Sequence, residues 1–304
     1  MLKTSYNRCI VASSYNRHSC FRKFSDIQHK YANFLSLVKN HGEGTVHLYE
    51  APLDERCMIL RFDNTSKRNA ISGRMMYELA THIDHLVSSK SYDDKIGLIL
   101  VGSGKEAFSA GADFSLVKEV VNTPERGKEM SKFMSELLNK IKFHLPFISI
   151  SLLQGPALGG GAEITTCTDF RLMRNDVFIQ FVHAKLGVTP GWGGAARLVD
   201  VVGKKNALHI LCSSEKLCAE KALRYNYCDG IFDGEGEDED IKQAVEFLLP
   251  YLDMPYPLAI KSMRLSVAAV EGLSRDVAND VATQEFSKRW GGADNKEALQ
   301  KRMK

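Results

Sequence analysis

Backbone rather than side chains is the first candidate for chemistry in this chain. Residues 155–163 read Gly-Pro-Ala-Leu-Gly-Gly-Gly-Ala-Glu, and residues 109–113 read Ser-Ala-Gly-Ala-Asp. The three consecutive glycines Gly159, Gly160 and Gly161 follow an apolar run at 147–153 and lead into a segment with helical character. Without Cβ atoms, such a turn lets a ligand approach the backbone closely. The N–H groups at a helix start have no partner within the helix, and the helix dipole there favours negative charge. Ala110-Gly111-Ala112 can supply a further N–H from another side. Two backbone donors converging on one oxygen make an oxyanion hole, which implies chemistry at a carbonyl.

Two further segments stand in order with these. Lys67-Arg68-Asn69-Ala70 follows the apolar stretch that ends at Phe62, and Thr189-Pro190-Gly191-Trp192-Gly193-Gly194 follows the glycine turn. By this series, over roughly residues 45–300, the chain resembles the crotonase (enoyl-CoA hydratase/isomerase) superfamily. The resemblance implies an α/β crotonase-like spiral of repeated ββα units with a C-terminal helical lobe. It also implies an acyl-CoA substrate whose thioester oxygen sits between the N–H groups of Ala112 and Gly160. Lys67, Ala70, Ala110, Gly111, Asp113 and Gly159 would line the bound CoA, with Trp192 walling the acyl pocket. No cofactor is expected, because CoA is part of the substrate. Family members are usually homotrimers or hexamers, and that is the expected assembly here.

One departure from the family pattern narrows the reaction. Hydratases of the family use two glutamates, and Glu163 aligns with the first. The second belongs in a segment that here reads Phe181-Val182-His183-Ala184-Lys185-Leu186-Gly187, where His183 takes its place. Hydration needs one group to activate water and another to deliver a proton, so this replacement removes a matched pair. Decarboxylation of a malonyl-type thioester asks less: CO₂ leaves and the enolate must be stabilised. Each oxyanion donor contributes about 2.7–4 kcal/mol in other acyl enzymes. A second glutamate would repel the substrate carboxylate, whereas a histidine can donate a hydrogen bond to it or carry positive charge.

With Trp290-Gly291-Gly292 near the end, the likeness is strongest to members that decarboxylate ethylmalonyl-CoA and, less readily, methylmalonyl-CoA, as metabolite repair in the cytosol. Where those members have serine before the tryptophan, this chain has Gly191. On this reading Ala112 and Gly160 hold the enolate and His183 positions the departing carboxylate. Glu163 protonates the enolate or orients what does. The alternatives are a hydratase or isomerase of the same family, or a non-catalytic RNA-binding member.

The elements that must position these residues follow from periodicity. Runs at 45–49, 57–62, 95–101, 147–153, 169–173 and 178–182 read as strands. Ser72 caps a helix whose stripe is Met75, Leu79, Ile83 and Leu86, and a second helix spans 127–141. Strands alternating with helices argue for an α/β core at 41–235. Beyond the acidic run at 233–240, helices at 241–252, 258–270 and 276–289 make a C-terminal helical region over 236–304.

Residues 1–25 hold five basic and no acidic side chains, so against a net charge of +3 the remainder carries −2. Residues 1–40 therefore read as a basic tail, either disordered or a mitochondrial transit peptide; the second alternative would place the protein in the matrix. The body lacks a basic field, which speaks against nucleic acid as partner, and no apolar run is long enough for a membrane span. Seven scattered cysteines fit a reducing compartment. His82 and His85 have no third ligand, so no metal site is expected, and Arg197 and Asp169 are candidates for a structural ion pair.

Overall fold

The computed structural model describes residues 26–234 and 236–302. Two short helices, α1 (Ile27–Lys30) and α2 (Ala32–Val38), precede a hairpin of β1 (Thr45–Ala51) and β2 (Asp54–Asp63). Next come α3 (Gly73–Ser88), β3 (Gly97–Gly102), α4 (Phe114–Glu119), α5 (Pro124–His144) and β4 (Ile148–Leu153). The middle of the chain is made of short elements: β5 (Ala157–Leu158), α6 (Gly160–Thr165), β6 (Phe170–Arg174) and β7 (Phe178–Gln180). There follow α7 (Gly194–Ser213), broken at Gly203, then β8 (Leu217–Cys218), α8 (Ala219–Arg224) and β9 (Gly230–Phe232). Four helices close the chain: α9 (Glu237–Leu252), α10 (Pro257–Gly272), α11 (Arg275–Arg289) and α12 (Ala293–Arg302).

The main sheet has the order β1-β2-β3-β4-β6-β9, and every pair after the first hairpin is parallel. Parallel neighbours need crossover connections, which cover both faces of the sheet with helices. Strand β3 shows the result. Leu98 and Leu100 face the cluster built with α3 and α5, while Ile99 and Val101 face a second cluster completed by Ile241, Ala244, Val245 and Leu248 of α9. Burying each such aliphatic side chain contributes about 1.5–3 kcal/mol. A small sheet, β5-β7-β8, stands beside the glycine turn. The chain thus has the mixed α/β core and helical C-terminal region that the resemblance implies. Among the described residues no helix is long and apolar enough to cross a membrane.

The elements read from periodicity recur with shifted ends. Ser72 caps α3 by accepting from the Met75 N–H at 3.2 Å, and the stripe Met75, Leu79, Ile83, Leu86 is buried. The expected tail differs. Ile27, Phe34, Leu35 and Val38 are buried, and Phe34 packs its ring 5.2 Å from that of Phe133 in α5. Residues 26–38 therefore belong to the core; residues 1–25 lie outside the described residues.

The expected Arg197–Asp169 pair is also corrected. Asp169 instead pairs with Arg264 of α10, at 3.0 Å. Arg264 additionally donates to the carbonyls of Ile141, Lys142 and Leu145 at the end of α5, so it anchors the C-terminal helices to the core. Arg197 is spent elsewhere.

Candidate active site

The Ser109–Asp113 turn is held by the segment around Asn69. Ala110 N–H donates to the Arg68 carbonyl (2.9 Å), Ser109 Oγ to the Asn69 carbonyl (2.8 Å), and Ile71 N–H to the Gly111 carbonyl (2.7 Å). Asp113 N–H returns a bond to the Ile71 carbonyl at 3.0 Å. These bonds use Gly111 and Asp113. The N–H of Ala112 between them faces the other way, as alternation along an extended strand requires. Gly111 takes a φ of 93°, which glycine adopts without strain.

Gly160 opens α6, so its N–H has no acceptor within the helix. Gly159 precedes it at φ 51°, ψ −120°, and donates to the Gln180 carbonyl at 3.0 Å. The two turns touch: a Cβ placed on Gly111 would lie 3.0 Å from the Gly160 nitrogen. A Cβ on Gly160 would lie 2.5–2.8 Å from three carbons of the Trp192 ring. The buried indole therefore rests on the Gly160 backbone and walls this side of the site.

Glu163 lies one helical turn beyond Gly160, and only 1% of it is exposed. Its carboxylate accepts three backbone N–H bonds: Gly191 to Oε1 at 3.2 Å, and Trp192 and Gly194 to Oε2 at 2.8 Å each. His183 Nε2 lies 3.0 Å from Oε1. A Cβ on Gly194 would fall 2.4 Å from Glu163 Cγ, so the second glycine of the Trp192-Gly193-Gly194 turn is required for this approach.

His183 is held in a short 3₁₀ turn, Val182–Leu186, and its Nδ1 is buried without a protein partner. Val182 brings that turn against the glycines: a Cβ on Gly159 would sit 3.3 Å from Val182 Cγ2.

Arg197 braces the arrangement from below. It donates to the carbonyls of Trp192 (2.6 Å) and Glu163 (3.4 Å), to Thr166 Oγ1 (3.0 Å) and to Asn139 Oδ1 (2.9 Å). Burial pushes the guanidinium below its usual range, and the field of Glu163 is among those that oppose this.

Lys67 and Asp113 form the outer edge. Lys67 Nζ lies 2.8 Å from Asp113 Oδ2, and Asp113 Oδ1 caps α4 through the Ser115 N–H at 2.9 Å. Burial alone would raise the Asp113 carboxyl; Lys67 and the bonds from Ser115 outweigh it and hold it below the usual range. The Ala70 carbonyl accepts from Asn64 Nδ2, at 2.8 Å.

Ala112, Gly160, Glu163, His183 and Trp192 thus come together, with Ala110, Gly111 and Gly159 shaping their backbone and Lys67, Ala70 and Asp113 at the edge. Two residues do more than the sequence reading assigned them. Asn69 donates through Nδ2 to the carbonyls of Ser103 (2.9 Å) and Ala107 (2.7 Å) and accepts at Oδ1 from Asn64 N–H. Arg197 is the other. The signal for Asn69 was its place inside the Lys67–Ala70 motif; that for Arg197 was a lone arginine directly after a glycine turn. His82, by contrast, is engaged with the Val46 carbonyl at 2.8 Å.

Residues 54–239 match the family model described as Enoyl-CoA hydratase/isomerase. The ethylmalonyl-CoA decarboxylase of Bos taurus is 39% identical over 246 residues, covering 81% of this chain and 78% of that protein. That of Xenopus tropicalis is 34% identical over 301 residues, covering 98% and 93%. Among solved structures, enoyl-CoA hydratase from Bacillus anthracis superposes with a TM-score of 0.74 at 20% identity, covering 84% of this chain and 94% of that one. The last likeness speaks for the fold alone.

Proposed function

The chain belongs to the enoyl-CoA hydratase/isomerase family, and from that premise we propose that it decarboxylates ethylmalonyl-CoA to butyryl-CoA and CO₂. Methylmalonyl-CoA, giving propionyl-CoA, is the slower substrate. The observation that carries this reading is His183, standing beside the glycine turn with one ring nitrogen on Glu163 and the other buried without a protein partner.

In this mechanism the thioester oxygen accepts from the Ala112 and Gly160 N–H groups, and Trp192 walls the acyl chain. His183 Nδ1 holds the substrate carboxylate out of the thioester plane. The C–C bond to the carboxylate breaks, its electron pair enters the enolate, and CO₂ leaves. Charge develops on the oxygen between the two donors, where preorganised N–H groups stabilise it without reorganisation. A hydratase would need two carboxylates facing the substrate; here the only glutamate of the pair has its carboxylate engaged by three backbone N–H groups and the His183 ring.

The named relatives are decarboxylases, and the five described cysteines are all unpaired, which supports a reducing compartment; we place the enzyme in the cytosol, in a metabolite-repair role. Met263, Val267 and Val270 form an exposed stripe on α10, and Phe286 and Trp290 stack at 5.1 Å, also exposed. Such apolar exposure supports a homotrimer or hexamer closed through the C-terminal helices.

The test compares purified enzyme on ethylmalonyl-, methylmalonyl- and malonyl-CoA for CO₂ release, and on crotonyl-CoA for hydration. The expected order is ethylmalonyl above methylmalonyl above malonyl, with hydration slower than all three. Dominant hydration would overturn the reading.

A further inference from the structure

We infer that Glu163 is a positioning residue that fixes His183 and the Gly191–Gly194 turn, and that His183 Nδ1 delivers the proton that quenches the enolate. This rests on the decarboxylase reading above. A carboxylate offers about four lone-pair sites, and those of Glu163 meet four protein partners. To donate a proton it must first carry one. On Oε2 that proton would meet the N–H groups of Trp192 and Gly194, each 2.8 Å away. On Oε1 it would meet the Gly191 N–H or the His183 ring. The one acceptor in reach is His183 Nε2, so any proton leaving Glu163 passes to the imidazole.

The imidazole is built for the opposite flow. An ionised Glu163 keeps Nε2–H pointed at itself, and when the ring is charged both nitrogens donate. Nδ1 is then the free end, and leaving it unpaired in a buried site is unfavourable, which a substrate carboxylate relieves. As CO₂ departs, the Nδ1–H bond breaks and its proton goes to C2 of the enolate. The neutral ring retains Nε2–H on Glu163, and water restores the proton. Because the same carboxylate binds the Trp192 and Gly194 N–H groups, it sets the acyl wall and the proton donor in register.

The experiment combines CO₂-release kinetics with ¹⁵N-histidine NMR on the full chain and on the Glu163→Gln, His183→Gln and double variants. Glu163→Gln is expected to lower kcat by about 10–100-fold with KM changed only a few-fold, since outer partners that orient a functional group carry effects of this size. The double variant is expected to be no slower than His183→Gln alone, because groups acting as one unit are not additive. The wild-type spectrum is expected to show His183 protonated at Nε2, with that signal displaced in Glu163→Gln. Multiplicative losses in the double variant would make Glu163 an independent donor and overturn the inference. So would a wild-type His183 carrying its proton on Nδ1 alone, a result that needs no variant to fold. Absence of CO₂ release by the wild type would instead sink the decarboxylase reading, which separates the two failures.

Discussion

The two halves of the proposed oxyanion site are built in opposite ways. The Gly159–Gly161 turn is closed by its own geometry: it opens α6, bonds Gln180, and is covered by the Trp192 ring. The Ser109–Asp113 turn starts no regular element until Asp113 caps α4, and its shape comes from bonds to residues 68–71 some forty positions earlier. The first turn is therefore sensitive at its own residues, the second also at the distant residues that hold its shape. The motif series follows from this: Lys67–Ala70 and Ser109–Asp113 occur together because one is the mould of the other.

The sharpest way to break the first half is Gly160→Pro. It removes the donor N–H and drives a side chain into the Trp192 ring. Loss of one preorganised donor alone costs about 10²–10³ in kcat, so with the displaced wall turnover should fall by about 10³-fold or more. Stopped-assay CO₂ release reads the result; a variant within tenfold of wild type would remove Gly160 from the oxyanion role.

The second half should fail at a distance. Asn69→Ala strips two donated bonds and one accepted bond from a buried position and strands the Ser103 carbonyl and the Asn64 N–H, while the Ala107 carbonyl keeps its bond from Gln154 Nε2. At about 1 kcal/mol per bond, a loss of about 3 kcal/mol in stability is expected, with kcat falling because Ala112 is no longer aimed. Denaturant unfolding and CO₂ release measured together check this. Full activity in a folded Asn69→Ala protein would mean that the second turn holds its own shape.

This difference also explains what the sequence disclosed. Glycine turns, the Ser72 cap and the Met75–Leu86 stripe are local signals, and they were legible. The saturation of Glu163 was not, because its donors lie 28–31 residues downstream and depend on how the Gly191–Gly194 turn folds back. Asp169 was visible as an acid in need of a partner, but three dimensions supply Arg264, 95 residues on, rather than Arg197. Residues 26–38 read as part of the basic tail because their apolar positions are spaced among Lys, His and Asn; only packing against Phe133 shows which face is buried.

The smallest effects are expected at the outer edge of the second turn, where Lys67 meets Asp113. Lys67 is exposed, so Lys67→Ala should leave kcat and neutral-pH stability almost unchanged and raise KM for the CoA thioester several-fold, through loss of a cation at the CoA end. The same small effect can be followed on acidification. An Asp113 carboxyl held below its usual range contributes stability that is present above the ordinary carboxylate pKa, about 4, and is lost as pH falls through the lower folded-state value. Removing Lys67 takes away one of the groups that outweigh burial, so the folded-state value rises toward the ordinary one. The acid-unfolding midpoint of Lys67→Ala should therefore move to higher pH, followed by far-ultraviolet circular dichroism. An unchanged midpoint with an unchanged KM would mean that the Lys67–Asp113 pair contributes neither to the second turn nor to substrate binding, and would confine that half of the site to its inner mould around Asn69.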